Sequence, residues 1–546
     1  MKKLHYITFL IPLYFMSACY YTEEADLLIH NATIYTVNTE FTIAEAMAIK
    51  DGKIIDIGPN NELKNRYEAI REIDAKLKPI YPGFIDAHCH FFWYGNTFFE
   101  VDLVGTKSWE DVLERTKSFA DENSDGWVTG RGWDQNDWDV KEFPAKSKLD
   151  SLFPDRAVLL KRIDGHAAIA NQKALDLSEI TINSSIDGGV VEQKDGKLTG
   201  ILIDNAIDLV SKAIPAITEK RQIAALKKAE KMCFAAGLTT VDDAMMENDM
   251  ANLIDSLHRS GELKMKVYGM LMPTEENKKQ FLENGPYITP SLSIRSFKYF
   301  ADGALGSRGA KLIEPYHDDP TNDGLFLKDS AYLANEAKLL NQMGFQMNTH
   351  CIGDDANRLM LNIYANTLQG TNDKRWRIEH AQIVASDDMD KFGENTIIPS
   401  VQPTHATSDM YWLEERLGKE RMKTAYAYKE LLEQSQIIAL GTDFPIESID
   451  PIKTFYAATI RKDNSDFPKK GFQMQNALSR EEALKGMTIW AAMSNFEEKQ
   501  KGSIEVGKAA DFIILDKDLL KVEESELLKI KVQSTFLNGE EVYSAN

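Results

Sequence analysis

The chain has 546 residues, of which 43% are hydrophobic, and its formal net charge is −21 at pH 7. This size allows a large buried core, with a catalytic domain of about 300–400 residues and a smaller domain beside it. The negative charge argues against nucleic-acid binding, because phosphate recognition needs clustered lysine and arginine, and the sequence has no basic run beyond short pairs. Four cysteines without Cys-x-x-Cys spacing indicate neither a zinc ribbon nor a disulfide framework.

The N-terminus has the features of a targeting segment. Two lysines precede an apolar stretch at 7–16, which is too short for a permanent membrane-spanning helix. The next residues, Met16-Ser-Ala-Cys19, resemble a bacterial lipobox, although leucine is commoner than methionine at its first position. We therefore expect 1–18 to be a lipoprotein signal peptide and Cys19 to anchor the protein to a membrane, facing the periplasm or the cell surface. Ordinary secretion with cleavage is the alternative.

Both ends of the mature chain have the short alternating pattern of β-strands. Each end contains a two-residue hairpin signal, Asp51-Gly52 in the first and Asn538-Gly539 in the second. Neither end has enough strands to bury a sheet face alone. We therefore predict one small β-sandwich built from 19–82 and 496–546, the alternative being two unrelated β appendages.

Between these ends, residues 83–495 alternate between strand-like and helix-like segments. Residues 219–236 have helical periodicity and precede Gly237, as expected of a helix that leads into a strand. Eight strands with intervening helices predict an α/β fold, the (β/α)₈ TIM barrel, whose chemistry lies at the C-terminal ends of the strands. The strands are predicted at 84–88, 238–243, 264–271, 294–300, 345–349, 376–380, 397–402 and 437–442.

A long insertion at 91–215 separates the first two predicted strands. It is far longer than an ordinary βα loop, and it leaves strand 1 at the end where the chemistry is expected, so it should cover the mouth of the barrel. Trp133 and His166 lie within it. They either line a substrate pocket or pack inside the inserted domain.

The first barrel strand ends in a His-x-His pair. Because side chains alternate along a strand, His88 and His90 share one face and can bind the same metal ion through neutral nitrogens. Taken singly, each histidine of this chain is more often a satisfied core residue than a ligand. The convergence of several polar side chains on one end of the barrel nevertheless favours a metal site. The others are Lys298 on strand 4, His350, His380 and Asp443.

The sequence around these residues forms several longer motifs. They are Phe297-Lys-Tyr-Phe-Ala-Asp-Gly-Ala-Leu-Gly-Ser-Arg, Gly130-x-Gly-Trp-Asp, Asp164-Gly-His, Asn348-Thr-His-x-Ile-Gly-Asp, Arg377-Ile-Glu-His-Ala-Gln and Gly441-Thr-Asp-Phe-Pro. The ligand pattern resembles the amidohydrolase superfamily, with His-x-His on strand 1, lysine on strand 4, histidines on strands 5 and 6 and aspartate on strand 8. The longer motifs resemble its branch containing the N-substituted formamide deformylases and the YtcJ-like proteins. This resemblance covers roughly residues 24–545.

The resemblance implies a hydrolase that cleaves a non-peptide carbon–nitrogen bond, amide-like or formamide-like, in a small molecule through a metal-bound hydroxide. It implies one or two divalent ions, with zinc as the default, held by His88, His90, Lys298, His350, His380 and Asp443. A lysine ammonium beside a dication would be repelled, whereas CO₂ addition to the neutral amine gives an anionic carbamate able to bridge two ions. Asp443 is expected to take the proton from the bridging water and deliver it to the leaving nitrogen. A metal ion would polarise the carbonyl oxygen, assisted by His380 or a pocket residue.

The expected partners are a small amide-like substrate and the lipid on Cys19, with no nucleic acid; a homodimer is left open. Substrate contacts are expected from Trp133, His166, Asp302, Arg308 and Gln402. Two other functions remain open: a deaminase on the same fold with a single metal ion, and a catalytically inert extracytoplasmic binding lipoprotein. His405, which follows strand 7, is more often an ordinary loop histidine than a ligand.

Overall fold

The structure is a computed structural model that describes residues 22–123, 126–163, 165, 167–186, 189–204 and 206–545. The chain divides into two compact units. The first combines the residues up to Gly83 with those from Phe496 onward, and the second is Phe84–Asn495. The described part of the chain contains no helix with the length and apolar character needed to cross a membrane. The predicted signal peptide and Cys19 lie outside the described residues.

The first unit is a sandwich of two β-sheets. Its strands are β1 (Glu23–His30), β2 (Thr33–Tyr35), β3 (Ile43–Ala44), β4 (Ala46–Lys50), β5 (Lys53–Gly58), β6 (Tyr67–Asp74), β7 (Pro79–Pro82), β23 (Phe512–Leu515), β24 (Val532–Leu537) and β25 (Glu540–Ser544). Its helices are α1 (Asn60–Arg66) and α19 (Glu524–Leu527). One sheet has the order β5-β4-β1-β6, and the other, β25-β24-β23-β7-β2-β3, joins strands from both ends of the chain.

The two sheets share one apolar core. Leu27 and Ile29 from the first sheet pack in the same buried cluster as Phe512 and Phe536 from the second. The predicted hairpins are present: β4 pairs with β5 and β24 with β25, each across a two-residue turn whose residues have positive φ. Such turns match the twist of the strands they connect. The prediction of one sandwich built from both termini is therefore confirmed.

The second unit contains a parallel barrel of eight strands. They are β8 (Phe84–Cys89), β15 (Leu238–Met246), β16 (Lys266–Leu271), β18 (Leu292–Phe300), β19 (Gln346–Cys351), β20 (Arg377–His380), β21 (Ile398–Val401) and β22 (Ala439–Leu440), with β17 (Tyr287–Ile288) paired to β18. All eight predicted strands are confirmed. The seam between β8 and the residues after β22 is closed by two backbone hydrogen bonds, from Asp443 N to His88 O at 2.7 Å and from His90 N to Phe444 O at 2.8 Å.

Helices connect the barrel strands. They are α7 (Glu219–Ala235), α8 (Asn248–Ser260), α9 (Glu275–Asn284), α10 (Ser330–Met343), α11 (Asp354–Leu368), α12 (Asp390–Glu394), α13 (Pro403–Asp409), α14 (Leu413–Arg421), α15 (Tyr428–Ser435), α16 (Pro451–Ile460), α17 (Arg480–Gly486) and α18 (Ile489–Ser494). The helix predicted at 219–236 is α7. The Thr218 side chain caps it by accepting the N–H of Arg221, and Gly237 follows it with φ of 84°.

The insertion folds into a sheet of its own. Its elements are α2 (Phe91–Thr97), β9 (Val101–Asp102), α3 (Trp109–Glu122), β10 (Val128–Trp133), α4 (Ser147–Leu152), β11 (Val158–Arg162), β12 (Ala167–Ala170), α5 (Gln172–Leu177), β13 (Gly189–Lys194), β14 (Lys197–Asp204) and α6 (Ala206–Ser211). The strand order is β13-β14-β12-β11-β10-β9. Successive residues of β11 enter two different cores, Leu160 on one face and Leu159 on the other, so both faces of the sheet are covered.

Candidate active site

A cavity of about 460 Å³ lies at the C-terminal end of the barrel strands. This is the end at which (β/α)₈ enzymes carry out their chemistry. The structure brings all six of the ligands expected from the sequence to its wall: His88, His90, Lys298, His350, His380 and Asp443.

The two histidines of β8 are each held by a fixed hydrogen-bond acceptor. His88 Nδ1 lies 2.6 Å from Glu379 Oε2, and His90 Nδ1 lies 3.1 Å from the carbonyl oxygen of Ala244. Because both partners accept hydrogen bonds, Nδ1 is assigned as the N–H of each ring. The lone pair of Nε2 is then available on both histidines, as metal ligation requires.

His380 also uses Nδ1 for its hydrogen bond, whereas His350 uses Nε2. His380 Nδ1 lies 2.7 Å from Gln402 Oε1, which leaves Nε2 free, whereas His350 Nε2 lies 3.4 Å from the carbonyl oxygen of Gly303. Burial lowers the pKa of His88 to about 4 and that of His350 to about 3, and it holds the pKa of His380 well below its usual range. All three rings are therefore neutral at pH 7.

A buried ion-pair network supports His88 from behind. Arg377 is fully buried, and its Nε lies 2.6 Å from Glu379 Oε1 while its Nη1 lies 2.9 Å from Asp242 Oδ2. Burial raises the pKa of Glu379, but the charge of Arg377 and the contact with His88 outweigh it and hold this pKa below its usual range. Glu379 is therefore a carboxylate that orients His88 and raises its basicity as a ligand.

Lys298 projects from β18 into the same cavity. Its Nζ lies 3.2 Å from His88 Nε2 and 5.1 Å above the Phe300 ring, and burial lowers its pKa to about 8. The carboxylate of Asp302 accepts three backbone N–H groups, and that of Asp443 faces His90 instead. Within the described part of the chain, Lys298 forms no ion pair with either carboxylate.

Asp443 lies at the centre of two overlapping groups of donor atoms. Its Oδ1 is 3.1 Å from His90 Nε2 and 3.8 Å from His88 Nε2, and its Oδ2 is 3.7 Å from His405 Nε2. One group is His88, His90 and Asp443, and the other is His380, His405 and Asp443. Burial raises the pKa of Asp443, but the surrounding histidines outweigh it, so the group is ionised.

The structure adds His405 to the site. It lies on α13, where its ring is parallel to that of His380 with centroids 6.0 Å apart. Its Nε2 is buried and has no hydrogen-bond partner. The local sequence around His405 predicts only an ordinary loop histidine, because no spacing rule relates α13 to the ligand strands.

The donor set fits a divalent metal ion. Neutral imidazole nitrogens and a carboxylate are ligands typical of zinc and similar ions, and the unpartnered, buried Nε2 of His405 is explained by a cation nearby. The supporting contacts from Glu379, Gln402 and the Ala244 carbonyl hold the rings in place whether or not an ion is bound.

The residues expected to contact substrate have other roles in the structure. Gln402 holds His380, Asp302 ties down the backbone after β19, and Arg308 forms an ion pair with Asp318 at 2.9 Å. Trp133 is fully buried in the core of the inserted sheet, where its Nε1 donates to Leu160 O at 2.9 Å. None of these four lines the cavity. His166 and the neighbouring Asp164 lie outside the described residues.

Other side chains line the cavity instead. Among the described residues of the insertion, Trp93 is the one that lines this cavity. It lies one helical turn after His90, and the centroids of the two rings are 5.4 Å apart. Trp412, Asp409 and Glu447 line the cavity as well. The proximity of Trp93 to the His-x-His pair is a usable sequence signal, whereas the others lie on α13 and on loops whose positions depend on the tertiary fold.

Comparison with known proteins identifies the family. The sequence profile of the amidohydrolase family matches residues 71–543. The chain belongs to the amidohydrolase family. This amidohydrolase is 32% identical over 526 residues to the Bacillus subtilis (strain 168) protein named "Putative amidohydrolase YtcJ", covering 94% of this chain and 98% of that protein. It is 25% identical over 542 residues to N-substituted formamide deformylase of Arthrobacter pascens, covering 95% and 98%.

A solved structure agrees with this assignment. An uncharacterized metal-dependent hydrolase from Pyrococcus horikoshii OT3 superposes with a TM-score of 0.78 at 29% identity, over 91% of this amidohydrolase and 99% of that chain. The resemblance to the amidohydrolase superfamily is therefore confirmed. The protein is therefore a hydrolase of the amidohydrolase family, which acts on carbon–nitrogen bonds.

Proposed function

We propose that this amidohydrolase cleaves an amide-like carbon–nitrogen bond in a small molecule, with N-substituted formamides as the first class to test. The observation that carries the proposal is the arrangement of three histidines, His88, His90 and His380. In each, Nδ1 is held by a hydrogen-bond acceptor, so Nε2 is left free, and all three are grouped with Asp443 as possible metal ligands. The likeness to N-substituted formamide deformylase supports the choice of substrate class.

His88, His90, His350, His380 and Asp443 would hold one or two divalent ions, with zinc as the default. When bound, such an ion supplies Lewis-acid activation of a water molecule and of the substrate carbonyl oxygen. The residues of the chain provide the proton transfer. Asp443 accepts a proton from the attacking water and returns it to the leaving nitrogen, so the products are a carboxylate and an amine.

We also propose that Lys298 is carboxylated in the active enzyme. Addition of CO₂ to its neutral amine forms a carbon–nitrogen bond and releases a proton, which leaves an anionic carbamate. The support is positional, because Nζ lies 3.2 Å from His88 Nε2, among neutral histidines and without a carboxylate partner in the described chain. An ammonium there would oppose metal binding, whereas a carbamate adds two ligand oxygens.

The cavity wall suggests where the nitrogen substituent of a substrate lies. Trp93, Phe300 and Trp412 offer aromatic surface, and Leu305 and Ile352 add aliphatic surface. An apolar substituent on the amide nitrogen would bury part of its surface against these side chains, while the small acyl group remains at the histidines.

The test uses purified, zinc-reconstituted protein and a panel of N-benzylformamide, N-alkylformamides, matched acetamides, ureas and adenine. We expect amine and formate to be released in equal amounts, with loss of activity after chelation and recovery on adding metal. Metal content per chain is measured on the same samples.

The alternatives predict different results. One ion per chain together with ammonia release from adenine would favour the deaminase, and two ions per chain would exclude it. Full metal occupancy without turnover of any compound in the panel would contradict the proposal and favour the binding lipoprotein.

A further inference from the structure

A second cavity lies between the inserted sheet and the N-terminal end of α7. Its volume is about 650 Å³, which is within the range of small-molecule sites. It shares one wall residue, Trp93, with the metal-site cavity. Arg131 lines it as well, and this arginine belongs to the Gly-Arg-Gly-Trp motif, to which the metal site gives no role.

Positive charge predominates in this cavity although the protein as a whole is strongly acidic. Arg131, Lys161 and Arg221 line it, together with a single acid, Glu100. The side chains of Lys161 and Glu100 form no hydrogen bond or ion pair with any residue that the structure describes. Glu100 interacts electrostatically with all three cations, but one carboxylate cannot offset three positive charges, so the cavity keeps an excess of positive charge.

Arg221 has an unsatisfied donor at this site. Its Nη2 donates to Asn96 Oδ1 at 3.0 Å, and its guanidinium lies 5.2 Å above the Phe99 ring. Its Nε is buried and has no hydrogen-bond partner. A buried donor without an acceptor is costly, so an anionic ligand that accepts from this group would stabilise it.

The remaining wall is largely apolar. Trp93, Trp127 and Leu159 contribute to it, and Ile214 and Ile217 complete it before α7 begins. We propose that this second cavity binds a small organic carboxylate with an apolar body. The carboxylate would contact the cationic side, where arginine offers the matching geometry, and the body would pack against the tryptophans.

A ligand in this cavity would adjoin the metal site through α2. This helix begins directly after His90, and the ring of its residue Trp93 makes an edge-to-face contact with His90 and also lines the second cavity. The proposed carboxylate site does not depend on which carbon–nitrogen bond the enzyme cleaves, so the two proposals fail independently.

The test is titration of the metal-loaded protein with benzoate, followed by calorimetry and by tryptophan fluorescence. We expect saturable binding that weakens about tenfold or more in Arg221→Met and in Lys161→Met, the effect of losing one charged hydrogen bond. Glu100→Gln should bind benzoate more tightly because it removes a like charge. Lys220→Met is the matched control: Lys220 is exposed, adjacent to Arg221 and outside the lining, so its removal should leave the affinity unchanged.

Benzamide, which has the same body without the charge, should bind at least tenfold more weakly than benzoate. Equal benzoate affinity in the wild type and Arg221→Met would place the ligand elsewhere, for example at the metal, and would overturn the proposal. Absence of binding at 10 mM benzoate would overturn it as well. If circular dichroism shows that Arg221→Met does not fold, the other two variants test the proposal. Benzoate should bind more weakly to Lys161→Met and more tightly to Glu100→Gln, and any other result would overturn the proposal.

Discussion

At the scale of single residues, the site depends on which nitrogen of each histidine is free. Glu379, Gln402 and the Ala244 carbonyl each occupy one ring nitrogen, so His88, His380 and His90 present the other to the cavity. These partners set the tautomers before any ion binds, which reduces the ordering that metal binding would otherwise require.

Asp443→Asn should fold, keep at least one metal ion and lose about 10²–10⁴-fold in turnover, because the amide cannot accept the proton from water. Asp443 has φ of 62°, a conformation that asparagine also tolerates, so the backbone should not change. Steady-state kinetics with metal analysis checks this. Near-normal turnover would assign the proton transfer to another group.

Lys298→Ala should lose binuclear metal binding and activity, because the alanine cannot carry the proposed carbamate. Short carboxylic acids such as propionate should restore part of both by filling the vacated space. The matched comparison is Asp443→Asn, which the same acids should not rescue. A metal-loaded crystal structure with an unmodified Lys298 amine would contradict the carbamate and return the single-metal mechanism to first place.

At the scale of elements, the seam between β8 and β22 brings the histidine ligands of the first barrel strand next to Asp443, which follows the last one. Asp86 Oδ1 accepts the Thr442 N–H at 2.9 Å, and its Oδ2 accepts the Thr442 hydroxyl at 2.6 Å. A Cβ on Gly441 would lie 2.5 Å from His88 N, so only glycine permits this approach. The Gly-Thr-Asp run thus brings Asp443 against the histidines of β8.

Trp133→Ala should lower the free energy of unfolding of the inserted domain by about 3–5 kcal/mol, because it leaves a cavity in a closed core. Metal content should stay the same, because Trp133 does not line the metal-site cavity. Trp93→Ala is the control, since this tryptophan is 40% exposed and its removal should cost much less stability. Denaturant unfolding with metal analysis tests both, and loss of metal in Trp133→Ala would show that the inserted domain supports the site.

At the scale of the whole molecule, the barrel and its candidate metal site belong to a strongly acidic chain whose N-terminus is predicted to be a lipoprotein signal. The net charge of −21 keeps the surface acidic, which favours solubility and disfavours nucleic acid. The envelope location remains a prediction, because it depends on the first 21 residues, which the structure does not describe.

Cys19→Ser should release the protein from the membrane fraction, because the serine cannot carry the thioether-linked lipid. Cell fractionation followed by mass spectrometry of the N-terminus checks this, with the wild type expected to begin at an acylated Cys19. Residues 1–18 still attached and no acyl chain on the membrane-bound wild type would contradict the lipoprotein prediction.

The sequence by itself determined the barrel, the sandwich and the candidate ligands, because these depend on local periodicity, turn residues and the ends of strands. His88, His90, Lys298 and Asp443 could be found since each lies at or near the end of a strand with a clear pattern.

The tertiary structure alone decided which other side chains meet the site. Glu379 contacts His88 across 291 positions of sequence, and His405 approaches Asp443 from a helix that follows a different strand. Trp133 and Arg131 lie in one motif, yet one enters the inserted core and the other lines a second cavity. Local patterns carry no information about such contacts, because they arise only when distant strands close into a barrel and an inserted sheet is fixed beside it.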